Sequence, residues 1–167
     1  LVYFPVASWV FNFTVVDGRM ISGGWLVHEV GLLDFAGGTV VEVASGASAL
    51  AVALVVGKRF GFTKGMHAPH NVPLVLIGAA ILLFGWFGFN AGSETAADGV
   101  ASLAFINTLA APVGAMLSWG LYEKLKHGKA TSVGIATGAV AGAVAITPSC
   151  AYLDPAWSLV LGAIVGV

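Results

Sequence analysis

Charge is scarce in this 167-residue chain: Asp, Glu, Lys and Arg together make up 9% of it, against 58% hydrophobic residues. Soluble domains carry roughly 25% charged residues, so the composition excludes an ordinary water-soluble domain. Only one cysteine is present, Cys150, which excludes an intramolecular disulfide and reads as a small packing residue. The formal net charge of −1 leaves no basic surplus for binding nucleic acid, so no nucleic-acid partner is expected. The four histidines, His28, His67, His70 and His127, form no Cys/His grouping with ligand spacing, so neither a metal nor another cofactor is expected. No serine has a Gly-x-Ser-x-Gly context, and nucleophilic catalysis has no support. The chain is not expected to be an enzyme.

What the chain does have is long apolar runs. Residues 35–57, 72–91, 100–122 and 132–151 each approach the ~20 residues needed to cross a bilayer as a helix. Residues 1–16 and 156–167 read as two partial helices. The fold class is therefore an all-α polytopic membrane protein. The chain begins without Met and stops without a polar flank, so it is expected to be a single membrane-domain piece of a longer protein, truncated at both ends. The missing signal peptide then carries no information. Cytoplasmic loops retain Lys and Arg. Lys58, Arg59 and Lys64 share one loop and Lys124, Lys126 and Lys129 another, while the opposite loops hold only Arg19 among Asp17, Glu29, Glu94, Asp98 and Asp154. Loops 58–70 and 123–131 are thus expected in the cytoplasm.

Local signals mark the helix ends. Asp34 can cap one helix, Asn71 with Pro73 opens the next, and Pro148 and Pro155 punctuate the last connection. Gly134, Gly138 and Gly142 form one narrow stripe and Gly78, Gly85 and Gly92 another, and such stripes let backbones approach closely. Pro112, inside the span 100–122, predicts a kink.

Glu42 is the only ionisable residue between 35 and 57. A charge in the middle of a membrane helix costs about 2.5 to 3.5 kcal/mol on insertion scales. At the regular rise it lies about 12 Å along the helix from Asp34. Gly38, Glu42, Gly46 and Ala49 fall on one stripe, so Glu42 is expected to face protein or a pore rather than lipid. Two readings follow: a pathway residue, or a structural carboxylate satisfied by a neighbouring helix. Asp34, taken alone, reads as a helix cap before a substrate group.

Residues 84–93 read FGWFGFNAGS. Gly85 and Gly88 leave room, Trp86, Phe87 and Phe89 supply rings, and Asn90 and Ser93 add an amide and a hydroxyl at the helix exit. This suits a narrow aromatic gate beside a polar vestibule, and an aromatic membrane belt fits it equally. Together with LDFAGGTVV at 33–41, GKR at 57–59, PHNVPLV at 69–75 and AITPSCAY at 145–152, the segment resembles the ammonium transporter, methylammonium permease and Rhesus protein family. The resemblance runs from about Ser22 onward, with its motifs in order.

The resemblance implies a fragment of an eleven-helix inverted-repeat transporter, entering within the fourth helix and leaving in the ninth, with loop 58–70 joining the halves. It implies a homotrimer embedded in the lipid of the cell (plasma or inner) membrane, and a PII-type regulatory protein as a partner on the cytoplasmic side. The substrate would be ammonium, passing as ammonia, or methylammonium. By the same resemblance Phe89 is one of two stacked phenylalanines closing the pore, Trp86 lies in the pore segment, Ser93 is the vestibule hydroxyl and Asp34 the buried carboxylate beneath it. Met20 falls where the vestibule usually has a tryptophan, a loss of cation-π attraction of about 0.5 to 2 kcal/mol. Glu42 falls where most members carry the first histidine of a pore-lining pair, and some fungal members have Glu there. The implied mechanism deprotonates ammonium under the Phe89 gate, conducts ammonia, and relays the proton through the paired pore residues, Glu42 among them. The alternative function is an ammonium sensor using the same fold without net transport. An intramembrane enzyme with Glu42 as general base needs a second catalytic group, and these spans offer none.

Overall fold

The computed structural model describes residues 1–17, 19–62 and 69–167, without the side chains of 14, 16 and 19–22. Lys64 and His67, read above as part of a cytoplasmic loop, lie outside the described residues. The order of elements is α1 (Tyr3–Phe11), β1 (Phe13–Val16), β2 (Arg19–Ser22), α2 (Trp25–His28), a π-helical turn (Gly38–Val43) running into α3 (Ala44–Val56), α4 (Val72–Ala91), α5 (Gly99–His127), α6 (Ser132–Ile146) and α7 (Pro155–Val165). Short 3₁₀ turns, Gly92–Glu94 and Thr147–Ser149, follow α4 and α6. Among the described residues, four stretches are long and apolar enough to cross a membrane: Gly38–Val56, Val72–Glu94, Gly99–His127 and Ser132–Ser149. The polytopic helical membrane architecture read from composition stands.

One region departs from it. The first helix stops at Phe11, and the chain beyond forms a two-stranded antiparallel ribbon with Val15 opposite Met20 and Val16 opposite Arg19. The reason is local: Thr14, Val15 and Val16 are β-branched, and Asp17-Gly18 is a hairpin-turn pair, with Asp17 at φ 51°.

Elsewhere the caps set the boundaries. Asn71 Oδ1 accepts from the Leu74 N–H at 3.0 Å, with Pro73 in the first turn of α4. Asp98 Oδ1 accepts from Val100 and Ala101 at 2.9 and 3.0 Å and opens α5. That helix outlasts its apolar run, since Glu123, Lys124, Leu125 and Lys126 are good helix formers, and it ends at Gly128 with φ 81°. Glu123 accepts from the Thr131 N–H at 2.7 Å, and Thr131 in turn caps α6 through Gly134, so the end of α5 holds the start of α6.

The chain divides into two compact units, Leu1–Leu33 with Thr39–His70, and Asp34–Gly38 with Asn71–Val167. In the first, Gly23 and Gly24 donate to Asn12 and Val10 carbonyls at 2.8 and 2.9 Å, and the Trp9 and Trp25 rings lie 6.0 Å apart. A side chain at Gly24 would strike the Trp9 carbonyl, so glycine is required there.

In the second unit α5 packs against both α6 and α7. A Cβ on Gly142 would sit 2.6 Å from the Ala111 carbonyl oxygen and one on Gly138 2.8 Å from that of Ala115. On the α7 side, Gly162 abuts the same Ala111 carbonyl and Gly114 abuts that of Leu159. Ala104, Ala111, Ile146 and Cys150 form the buried centre. Helix α5 runs on through Pro112, whose Cα lies 2.7 Å from the position of a Gly142 Cβ. The two glycine stripes therefore differ: 134/138/142 is a packing seam, whereas a Cβ on Gly78, Gly85 or Gly92 would meet no described atom within 4 Å.

Substituting Gly162 by Ala forces the α5–α7 seam apart, for an expected loss of about 1–3 kcal/mol. Gly120→Ala on the same α5, where a Cβ would meet Ile135 at an ordinary contact distance of 3.6 Å, should lose nothing and gain up to about 1 kcal/mol in helix propensity. Thermal melts of the two full-length variants in detergent check the contrast.

Candidate functional site

The end of α4 and the 3₁₀ turn after it carry three of the six candidate residues, Trp86, Phe89 and Ser93. Trp86 is half-buried, and its indole N–H donates to Thr147 Oγ1 at 2.8 Å. Its ring meets Phe89 edge-on, with centroids 6.2 Å apart and planes at 87°. Trp86 therefore acts here as a brace that fixes the Phe89 ring, since its one donor is already used. Phe87 points elsewhere and stacks on Phe105 at 4.4 Å.

Phe89 and Ser93 remain exposed on this chain. Ser93 lies in the 3₁₀ turn after α4 and donates its hydroxyl hydrogen to the Phe89 carbonyl at 2.7 Å. That use of the hydrogen leaves Ser93 Oγ with lone pairs directed outward, an acceptor suited to a cation that donates N–H bonds.

Asp34 is buried, 8% exposed. Its Oδ1 accepts from the N–H groups of Gly37 at 2.9 Å and Gly38 at 2.7 Å, which are orphan donors at the start of the π turn. The cap read from the sequence is present, but regular winding begins four residues later than position 34, because 35–37 form a bend with Gly37 at φ 95°. The neighbouring turn at 147–153 braces this bend. The Phe35 N–H donates to the Pro148 carbonyl at 2.9 Å, the Phe35 and Tyr152 rings meet edge-on at 6.0 Å, and a Cβ on Gly38 would touch the Pro148 ring at 2.5 Å.

Two amides are buried nearby, Asn107, which was not singled out from the sequence, and Asn90, read above as the amide at the helix exit. Asn107 donates from Nδ2 to the carbonyls of Cys150 at 2.7 Å and Leu153 at 2.6 Å. Asn90 donates to Thr108 Oγ1 at 2.9 Å, and Thr108 passes its own hydrogen to the Ala104 carbonyl at 2.6 Å. Both amides are fully buried. The signal was available, because each is the only amide in its apolar span.

Glu42 and Met20 belong to the first unit. Glu42 sits inside the π turn Gly38–Val43, half-buried, with Oε2 shielded from solvent, and Ser45 donates to its backbone carbonyl at 3.0 Å. The regular α-helical rise and the four-residue stripe therefore do not apply between 38 and 43. Gly46 accordingly packs on nothing described. Met20 lies in β2, and its side chain is outside the described residues.

With this geometry in hand, the comparisons are specific. The sequence pattern described as Ammonium Transporter Family matches residues 1–167. An ammonium transporter of Mycobacterium tuberculosis is 50% identical over 99% of this chain and 34% of its own length. Ammonium transporter Amt1 of Archaeoglobus fulgidus is 45% identical over 99% of this chain and 39% of its own. The crystal structure of Saccharomyces cerevisiae Mep2 superposes with a TM-score of 0.86 at 37% identity, covering 99% of this chain and 36% of that one. A sensor Amt protein superposes at 0.84 with 33% identity, covering 99% and 41%. The chain spans about a third of the length of the curated relatives it matches.

Cys150 lies in the turn beyond the span Ser132–Ser149 and is fully buried. Burial pushes its thiol from an ordinary 9.0 up to about 12, and the charge of Asp34 acts in the same direction. Burial, then Asp34, also raises the Tyr152 hydroxyl. A raised thiol stays neutral as pH rises, so at pH 9 about one Cys150 in a thousand is thiolate. In a full-length protein with any other cysteines replaced, N-ethylmaleimide at pH 9 should label Cys150 at least about a hundredfold more slowly while the protein is folded than after denaturation. Equal rates in the two states would show that the thiol is not held neutral.

Proposed function

The chain belongs to the ammonium transporter family, and from that premise we propose that the full-length protein moves ammonium nitrogen across the cell membrane. The observation that carries the proposal is the arrangement on α4: an outward-facing acceptor, Ser93 Oγ, bonded to the backbone of Phe89, whose ring is braced by Trp86. Ammonium donates its N–H bonds to Ser93, loses a proton under the Phe89 gate, and crosses as ammonia. Potassium has no proton to lose, and a bare cation in hydrocarbon is heavily penalised, so the same pore rejects it. Asp34 supplies a buried negative charge under the vestibule and holds the bend at 35–37. Met20 in place of the expected tryptophan lowers the affinity of the recruitment step. Glu42 stands where the family usually has histidine and exchanges the proton with its partner residue.

In this reading the loops bearing Lys58 and Arg59 and Lys124, Lys126 and Lys129 face the cytoplasm, three copies form the working assembly, and a PII-type protein binds on that side. Ammonium or methylammonium is the cargo. A second reading, an ammonium sensor, draws on the likeness to the sensor Amt protein. Proteoliposomes holding the complete protein separate the two: a saturable current driven by ammonium and absent with potassium supports transport, whereas binding without current supports sensing.

Two variants test the assigned roles. Ser93→Ala removes one hydrogen bond to the cation, worth about 0.5–1.5 kcal/mol, and should raise half-saturating ammonium about 2- to 10-fold with maximal current kept. Glu42→Gln keeps the shape but removes the titratable proton. Its ammonium current should collapse, and an unchanged current would show that Glu42 is no relay.

A further inference from the structure

We infer that Asn107 is a positioning residue for the Asp34 carboxylate, acting through the turn at 147–153. The inference rests on the reading of Asp34 as the buried vestibule charge. Asn107 lies in the middle of α5 and is fully buried. Its Nδ2 spends both hydrogens on the same turn, at the Cys150 carbonyl, 2.7 Å away, and the Leu153 carbonyl, 2.6 Å away. That double contact clamps the turn onto α5. From its other side the turn holds the Asp34 segment: the Pro148 carbonyl receives the Phe35 N–H, and the Pro148 ring fills the space above Gly38. Gly38 is one of the two donors that Asp34 Oδ1 accepts. The chain of contacts from Asn107 to the carboxylate is therefore continuous and lies within one compact unit.

A packing role does not account for an amide here. Among the described residues the buried Asn107 Oδ1 has no hydrogen-bond partner, an arrangement that works against stability, whereas an aliphatic side chain would bury no such acceptor. What an aliphatic side chain lacks is the pair of donors. Those donors satisfy two carbonyls left over where α6 gives way to the turn, and they fix the turn's position to within hydrogen-bond tolerance.

The test uses the full-length protein in proteoliposomes, with assembly checked by size exclusion. Asn107→Leu removes both donors; Asn107→His keeps one, because its Nδ1 stands where Nδ2 of asparagine stood. The expected result is a maximal ammonium current down about tenfold in Asn107→Leu and partly recovered in Asn107→His, with half-saturation, set at Ser93, within about twofold of the parent in both. Asp34→Asn should show the same split. A role in packing alone predicts the reverse order, since the larger imidazole would be the worse fit, and that order overturns the inference. Normal current in Asn107→Leu alongside a lost current in Asp34→Asn overturns the inference but leaves the Asp34 reading standing. Normal current in Asp34→Asn overturns the reading beneath it. Failure of both Asn107 variants to assemble also overturns the inference, by making Asn107 a determinant of folding.

Discussion

The closeness with which α6 and α7 lie against α5 governs the second unit. No hydrophobic force pulls helices together in lipid, so contact has to come from dispersion and from backbone polarity, both of which fade within an ångström of separation. The Ala111 carbonyl is the meeting point, touched from one side by Gly142 and from the other by Gly162. Pro112 follows it directly. A proline has no N–H to give to the carbonyl four residues back, so this turn of α5 is freed from strict ladder geometry just where two neighbours press on it. The close seam in turn brings the loop ends of α6 and α7 within reach of the Asn107 amide.

A helix that ends or breaks in a buried place leaves backbone groups that need partners from outside the helix. This unit has two such breaks, the bend at 35–37 and the turn at 147–153, and each covers the other's exposed groups. Phe35 gives its N–H to Pro148, Asp34 takes those of Gly37 and Gly38, and Asn107 serves the carbonyls of Cys150 and Leu153. Trp86 joins the same turn through Thr147. Trp86 and the buried Asp34 carboxylate are thus held by the same turn, and the aromatic ring of Phe89 is fixed relative to it by Trp86.

Much of this was legible in the sequence. Apolar length located the four spans, and the Asn71–Pro73 pair placed the start of α4. The ribbon at 13–22 is signalled by Asp17-Gly18 after the β-branched Thr14, Val15 and Val16, but the uncharged apolar run 1–16 matches a helix equally well and hides it. Which glycine stripe would be a seam could not be read at all. Gly78, Gly85 and Gly92 have the same narrow alignment as Gly134, Gly138 and Gly142, and spacing says nothing about what lies opposite. Asn107 was overlooked for a related reason: an amide in an apolar span announces a partner, but its partners are carbonyls more than forty residues away, and backbone carbonyls leave no trace in composition.

The π turn around Glu42 bears most directly on how a carboxylate could stand in for histidine. The ladder changes from five-residue to four-residue spacing where the π turn passes into α3. The Glu42 carbonyl lies at that junction and accepts from the Ser45 hydroxyl at 3.0 Å. One extra residue in the turn rotates every side chain that follows it by roughly the 100° that separates neighbours on an α-helix. Glu42 therefore does not share the regular α-helical stripe with Gly46 and Ala49 that its spacing suggests. A glutamate side chain bends at three torsions where histidine presents a rigid ring, and it has no second ring nitrogen to pass a proton through. A relay built on it depends on where the backbone aims it, so the winding at 38–43 is as much a part of the site as the side chain.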